Sequence, residues 1–293
     1  MKRPDVTGYE LASPKIHDET VFVFLSDLHG LEHGPANSRL LEAVDRIGPD
    51  AVLVGGDMLV ESEDSPYRVP LRFMKDLAGR HTVYAANGNH EMRLSEFMPD
   101  GTPFREGRRP AHALLPEDWD PEGRTLLDAY SEELRRRGCI LLRDEAAVFE
   151  KGGTRVRVSG LDLGRRYYPK GKNLYELSPG EMERHLGRAG ADGALELLLA
   201  HHPNYLKDYA AWGADCVLSG HIHGGAVRLP GIGGLLSPNF TFFPRYSKGR
   251  YDEGGCAMFV SAGLGEHTFR LRLNDPREIV VLRLVPAEAA RGG

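Results

Sequence analysis

Between residues 21 and 86 the chain alternates short apolar runs with stretches of helical spacing, and few folds accommodate that alternation. Residues 21–25, 51–54 and 82–86 are runs of strand length rich in β-branched or aromatic side chains. Between them, 36–47 sets Leu40, Leu41, Val44 and Ile47 on one helical face, and 70–77 does the same with Leu71, Phe73, Met74 and Leu77. Strand, helix, strand, helix, strand is the pattern of parallel strands, because a parallel pair needs a crossover long enough to return to the starting edge. The second half reads as richer in strands, at 154–158, 195–199, 216–218, 258–260, 269–273 and 279–285. Short helices are expected near 179–186 and 204–211. The expectation is an α/β protein whose parallel front half runs into a more mixed back half.

No linker-like tract divides the 293 residues, so one domain is expected over 1–293, with its core at about 21–284. Two stretches break the pattern and read as inserted loops. Residues 92–125 hold five prolines, and Arg105, Arg108 and Arg109 there suit a lid over an anionic group. Residues 230–255 interleave Phe240, Phe242, Phe243, Tyr246 and Tyr251 with Arg245, Lys248 and Arg250. That loop either packs on the core or meets a lipid face. A third basic-aromatic group, Arg165, Arg166, Tyr167, Tyr168 and Lys170, follows the strand at 154–158.

The formal net charge of −5 lacks the positive field of a protein that grips nucleic acid. Three scattered cysteines make no disulfide framework and fit a reducing compartment. No apolar stretch approaches the ~18 residues of a membrane span, and the first residues lack the apolar centre of a secretory signal. A soluble cytoplasmic protein is expected.

Five of the apolar runs end in residues able to hold a metal. They are followed by Asp27 and His29, by Asp57, by Asn89 with His90 and Glu91, by His201 with His202, and by His221 and His223. In open parallel sheets, sites form outside the carboxyl ends of the strands, so these residues would converge if the strands are neighbours. Carboxylate, amide and imidazole donors without thiolate suit Mn, Fe, Zn or Co. Asp27, Asp57, Asn89, His29, His221, His223 and one of His201 and His202 make seven donors, too many for one tetrahedral ion and about right for two ions sharing a carboxylate. Two divalent ions against Asp27 and Asp57 leave about two positive charges to attract a phosphate.

The ordered series Asp27-Leu28-His29, Gly56-Asp57, Gly88-Asn89-His90-Glu91, His201 and Gly220-His221-Ile222-His223 resembles the calcineurin-like metallophosphoesterase superfamily. Its tail from His223 to Tyr251 looks like the bacterial YkuE/YaeI-type branch, with Ala226 where relatives often carry Gln. The resemblance implies an α/β/β/α sandwich of two mixed sheets flanked by helices. It implies a first divalent or mixed-valence transition-metal ion on Asp27, His29 and His223, a second on Asn89, His201 and His221, and Asp57 bridging both. The H-x-P arrangement favours His201 over His202. His90 would act as general acid beside the leaving group, with Glu91 orienting it, and a metal-bound hydroxide would attack phosphorus. The implied reaction is hydrolysis of a phosphodiester or pyrophosphate-type bond, with a phosphomonoesterase or a non-catalytic scaffold as alternatives. Val60 stands where a purple acid phosphatase needs its Tyr ligand. Implied partners are a small phosphate ester or a lipid-linked phosphate, the latter with peripheral contact at the inner membrane face, and no specific nucleic acid.

Overall fold

The structure is a computed structural model that describes residues 3–60, 67–104, 122–169, 174–190, 192–225, 228–229, 233–234, 243–266, 272 and 274–287. In chain order, β1 (Asp5–Ser13) and β2 (Thr20–Leu25) precede α1 (Ser38–Ile47), β3 (Ala51–Gly55), α2 (Arg68–Ala78) and β4 (Val83–Ala86). The one-turn α3 (Asn89–Met92), α4 (Leu126–Arg136), β5 (Ile140–Leu141), β6 (Glu145–Lys151) and β7 (Thr154–Gly160) follow. Then come α5 (Pro179–Leu186), β8 (Leu195–Leu199), α6 (Leu206–Trp212), β9 (Cys216–Ser219), β10 (Arg228–Leu229) and β11 (Gly233–Gly234). The last strands are β12 (Gly249–Glu253), β13 (Cys256–Val260) and β14 (Glu278–Pro286).

Twelve of these strands form two six-stranded sheets, in the orders β1-β14-β2-β3-β4-β5 and β12-β13-β9-β8-β7-β6. Because side chains alternate across a strand, each sheet has two apolar faces. Phe22, Phe24, Leu53, Tyr84 and Leu282 of the first sheet meet Val158, Leu195, Leu197, Leu218 and Phe259 of the second in one shared core. On the outer face of the first sheet, Val23, Leu25, Val52 and Val54 pack under α1, α2 and α4. Leu198, Ala200, Val217 and Met258 pack under α5 and α6 on the far side. Helices, sheet, sheet, helices make the four-layer sandwich the resemblance implied. Burial on both faces also explains why these strands read as nearly unbroken apolar runs.

As expected, the front strands β2, β3 and β4 pair in parallel and the back half of the chain is mixed. In the second sheet β13, β9, β8 and β7 are all parallel, and only the edge pairs β6–β7 and β12–β13 run antiparallel. The first sheet is interrupted next to its edge by β14, which lies antiparallel to β2 and parallel to β1. Strands β1, β6 and β12 were not expected from sequence, since as edge strands they are largely exposed and lack apolar runs. The strand expected at 269–273 falls mostly outside the described residues, as do Arg105, Arg108, Arg109, Lys170, Ala226, Phe240 and Phe242. Among the described residues of the aromatic stretch, Tyr246 packs into the core under the second sheet and Phe243 is exposed. No helix among the described residues is long and apolar enough to cross a membrane.

Candidate metal centre

The chain turns sharply as it leaves β2, β3 and β9. Asp27, His29, Asp57, His221 and His223 all adopt left-handed backbone conformations, with φ between 49° and 70°. Asp, Asn and His tolerate that region better than other side chains with a Cβ. Backbone bonds join the turns: the N–H of Asp27 donates to Gly56 O (2.9 Å) and that of His29 to Asp57 O (3.1 Å). Two further bonds cross between the sheets. His201 Nδ1–H donates to Gly55 O (2.7 Å), and the His221 N–H donates to Asp27 Oδ1 (3.0 Å). The strand ends of both sheets therefore converge, as the positions of these residues after apolar runs suggested.

All seven expected ligand residues lie in this region, each less than a tenth exposed. His223 Nε2 is 2.9 Å from His29 Nε2 and 3.2 Å from Asp27 Oδ1. His201 Nε2 is 3.0 Å from Asp57 Oδ2 and 3.7 Å from Asp27 Oδ1. Asp27, His29 and His223 bring one ligand atom each within 4.8 Å of one another, and so do Asp57, His201 and His221. A third such group, His29, Asp57 and His90, touches both. Asn89 opens α3, and its Oδ1, like Asp27 Oδ2, is buried with no hydrogen-bond partner among the described residues. A cation is one partner that satisfies a buried oxygen in that state. The donor set thus fits divalent metal ions.

Charge in the bare chain points the same way. Burial works against ionised Asp57 and Asp27, but His201 and, for Asp27, His223 hold both carboxyls well below the usual range. Burial likewise opposes protonated His201, yet Asp57 and Asp27 raise it to about 10. Burial keeps His29 and His221 neutral and holds His90 at about 4 and His202 at about 3. Two carboxylates among mostly neutral imidazoles are the protonation states a metal needs.

His201 rather than His202 faces the carboxylates. The His202 ring stacks on Tyr168 (5.1 Å between centroids), and its Nδ1 accepts from the Asn204 N–H. His90 donates its backbone N–H to Asp57 Oδ1 (2.8 Å), and its ring stands edge-on to His29. Glu91 departs from expectation. Its carboxylate accepts from the backbone N–H groups of Asp57, Met58, Leu59 and Gly88 and does not orient the His90 ring. Gly88 has to be glycine, because a Cβ there would lie 2.2 Å from Asp57 Oδ1.

Two residues near the centre escaped sequence reasoning. Arg272 donates to Ala262 O (2.8 Å) and Gly265 O (2.6 Å) and lies 3.3 Å from His223 Nδ1. Asn87 donates to both oxygens of Asp162 (3.1 and 3.0 Å), just before the Gly88-Asn89-His90 turn. Neither carries a local signal, because each depends on a partner brought in from a distant part of the chain.

Residues 20–225 match the calcineurin-like phosphoesterase family, and the chain belongs to it. It is 32% identical over 94 residues to YkuE of Bacillus subtilis, named an uncharacterized metallophosphoesterase, a match covering 32% of each chain. It is 24% identical to an uncharacterized metallophosphoesterase of Helicobacter pylori, covering 99% of this chain and 66% of that one. The Phosphodiesterase YaeI of Escherichia coli is 26% identical over 90% of this chain and 81% of its own length. The chain thus spans about a third of YkuE and about two thirds of the Helicobacter protein.

Proposed function

We propose that this chain is a phosphoesterase that uses two transition-metal ions to hydrolyse a phosphodiester or pyrophosphate-type bond, the whole chain acting as one domain. The observation that carries the reading is the contact between two buried ligand groups, one built on Asp27 and one on Asp57, joined through His201 and His29. Asp27, His29 and His223 would hold one ion, Asn89, His201 and His221 the other, with Asp57 between them. When bound, such a pair supplies Lewis acidity toward the phosphoryl oxygens and makes water acidic enough to attack near neutral pH. The residues prepare the site. Gly55 O fixes the His201 tautomer so that Nε2 points at Asp57. His90 is held against Asp57 through its own N–H, with its ring beside His29. An arriving phosphate anion favours the imidazolium form of His90, and in either form the ring donates to the departing oxygen. The diester preference is supported by the relative named a phosphodiesterase.

The test is a panel of mono-, di- and pyrophosphate esters given to chelator-stripped protein reloaded with Mn, Fe, Zn or Co. Turnover is expected only after reloading and fastest on diesters. His90→Ala should retain both ions and lose about 10²–10⁴-fold in kcat; a loss within about threefold removes His90 from the reaction. A protein that binds two ions and turns over no ester is a scaffold.

A further inference from the structure

Glu91 is buried at the centre of the molecule, and the reaction as proposed does not use it. Its carboxylate is 2% exposed and fully occupied. Oε2 accepts from the N–H groups of Asp57 and Gly88, both at 2.8 Å. Oε1 accepts from those of Met58 (2.8 Å) and Leu59 (3.3 Å). A carboxylate has about four lone-pair sites, and here all four meet backbone. Successive N–H groups at 57–59, following the left-handed Gly56 and Asp57, form a concave cradle for an anion. Glu91 supplies that anion from the other strand end.

The bonding is reciprocal. Asp57 gives its N–H to Glu91, and Asp57 Oδ1 receives the N–H of His90, the residue before Glu91. The turn after β3 and the start of α3 are therefore locked together. Asp57 sits on one, and Asn89 and His90 on the other. The group of Asp27, His29 and His223 stands on other turns, after β2 and β9.

We infer that Glu91 is the positioning residue of the centre: its carboxylate clamps the Asp57 turn onto the Asn89–His90 turn, and so builds the second ion's half of the site before any ion arrives. This rests on the two-ion reading for its consequence but not for its geometry. Removing the clamp should affect the two halves unequally. The ion on Asn89, His201 and His221 depends on both clamped turns, whereas the ion on Asp27, His29 and His223 takes most of its ligands from elsewhere.

The experiment has two arms. In the first, hydrogen exchange is followed in the chelator-treated wild-type chain. The amides of Asp57, Met58, Leu59 and Gly88 should be as protected as those of β3 without any metal. If they exchange like exposed loop amides until Mn²⁺ is added, the ions build the turn and the inference is overturned. The second arm titrates Mn²⁺ into Glu91→Gln, which keeps the shape but puts an amide N–H₂ in place of one acceptor oxygen. One site should stay within about threefold of wild type, and the other should weaken about 10–100-fold, the usual effect of losing a partner that orients ligands. Two unchanged sites, or two equally weakened sites in a folded variant, overturn it. Should the variant fail to fold, the first arm still decides. If wild-type protein binds no Mn²⁺ pair, the two-ion reading fails while the exchange result stands on its own.

Discussion

At the scale of single residues, the centre depends on backbone that most side chains avoid. Five of the seven proposed ligand residues sit at positive φ, where a residue with a Cβ is strained by roughly 1–2 kcal/mol. The neighbouring bonds, from Gly56 O to the Glu91 clamp, hold them there. These residues were recognisable because each follows an apolar run of strand length and because together they form one ordered series of motifs. The choice between adjacent His201 and His202 was not settled by the residues alone, since both follow β8 and both are buried. The structure separates them by direction: one imidazole faces Asp57 at 3.0 Å, the other stacks on Tyr168. We expect His202→Ala to bind two Mn²⁺ with wild-type stoichiometry in calorimetry. His201→Ala should weaken one site by more than the about 10–100-fold that an orienting partner contributes. The reverse ranking would mean that His202 is the ligand.

At the scale of elements, the strands and helices expected from apolar spacing were legible within a residue or two, whereas helix α4 and the edge strands were not. β6–β7 and β12–β13 are hairpins closed by Gly152-Gly153 and Gly254-Gly255, with positive φ at all four glycines. Such turns match strand twist and need residues free to adopt that conformation. The Gly-Gly pairs were a local signal that could have revealed both edge strands. Helix α4 offered another. Thr125 caps it by accepting from the Asp128 N–H, while Asp128 accepts from the Thr125 N–H. Thr125→Ala should lower stability by about 1 kcal/mol. It would be read as a lower urea midpoint at unchanged slope, and an unmoved midpoint would show that Arg143, which pairs with Asp128, holds the helix end by itself.

At the scale of the whole molecule, buried polar groups tie the sheets together beside the candidate metal centre. Asp162, just past β7 in the second sheet, accepts from Asn87 at the end of β4 in the first. Burial pushes its carboxyl up to about 7 against the pull of Asn87 and Arg143. The sign follows from the proton count. Between the ordinary value of 3.8 and about 7, the folded chain holds this proton more tightly than the unfolded chain. Stability from this group is therefore present at low pH and lost as pH rises toward 7. Asp162→Asn should remove that loss. The fall in urea midpoint between about pH 5 and about pH 8 should be smaller in the variant, and an equal fall would mean the carboxyl titrates normally in the folded chain.

Most buried strands, the helices α1, α2, α5 and α6, and the inventory of candidate metal donors were determined by the sequence, because apolar periodicity and donor chemistry are properties of a few neighbouring residues. Other features were decided only in three dimensions. The insertion of β14 between β1 and β2, the stacking of His202 on Tyr168, the Glu91 clamp and the placing of Arg272 against His223 each join segments far apart in the chain. Their geometry depends on the register and packing of two whole sheets, which no short stretch of sequence encodes.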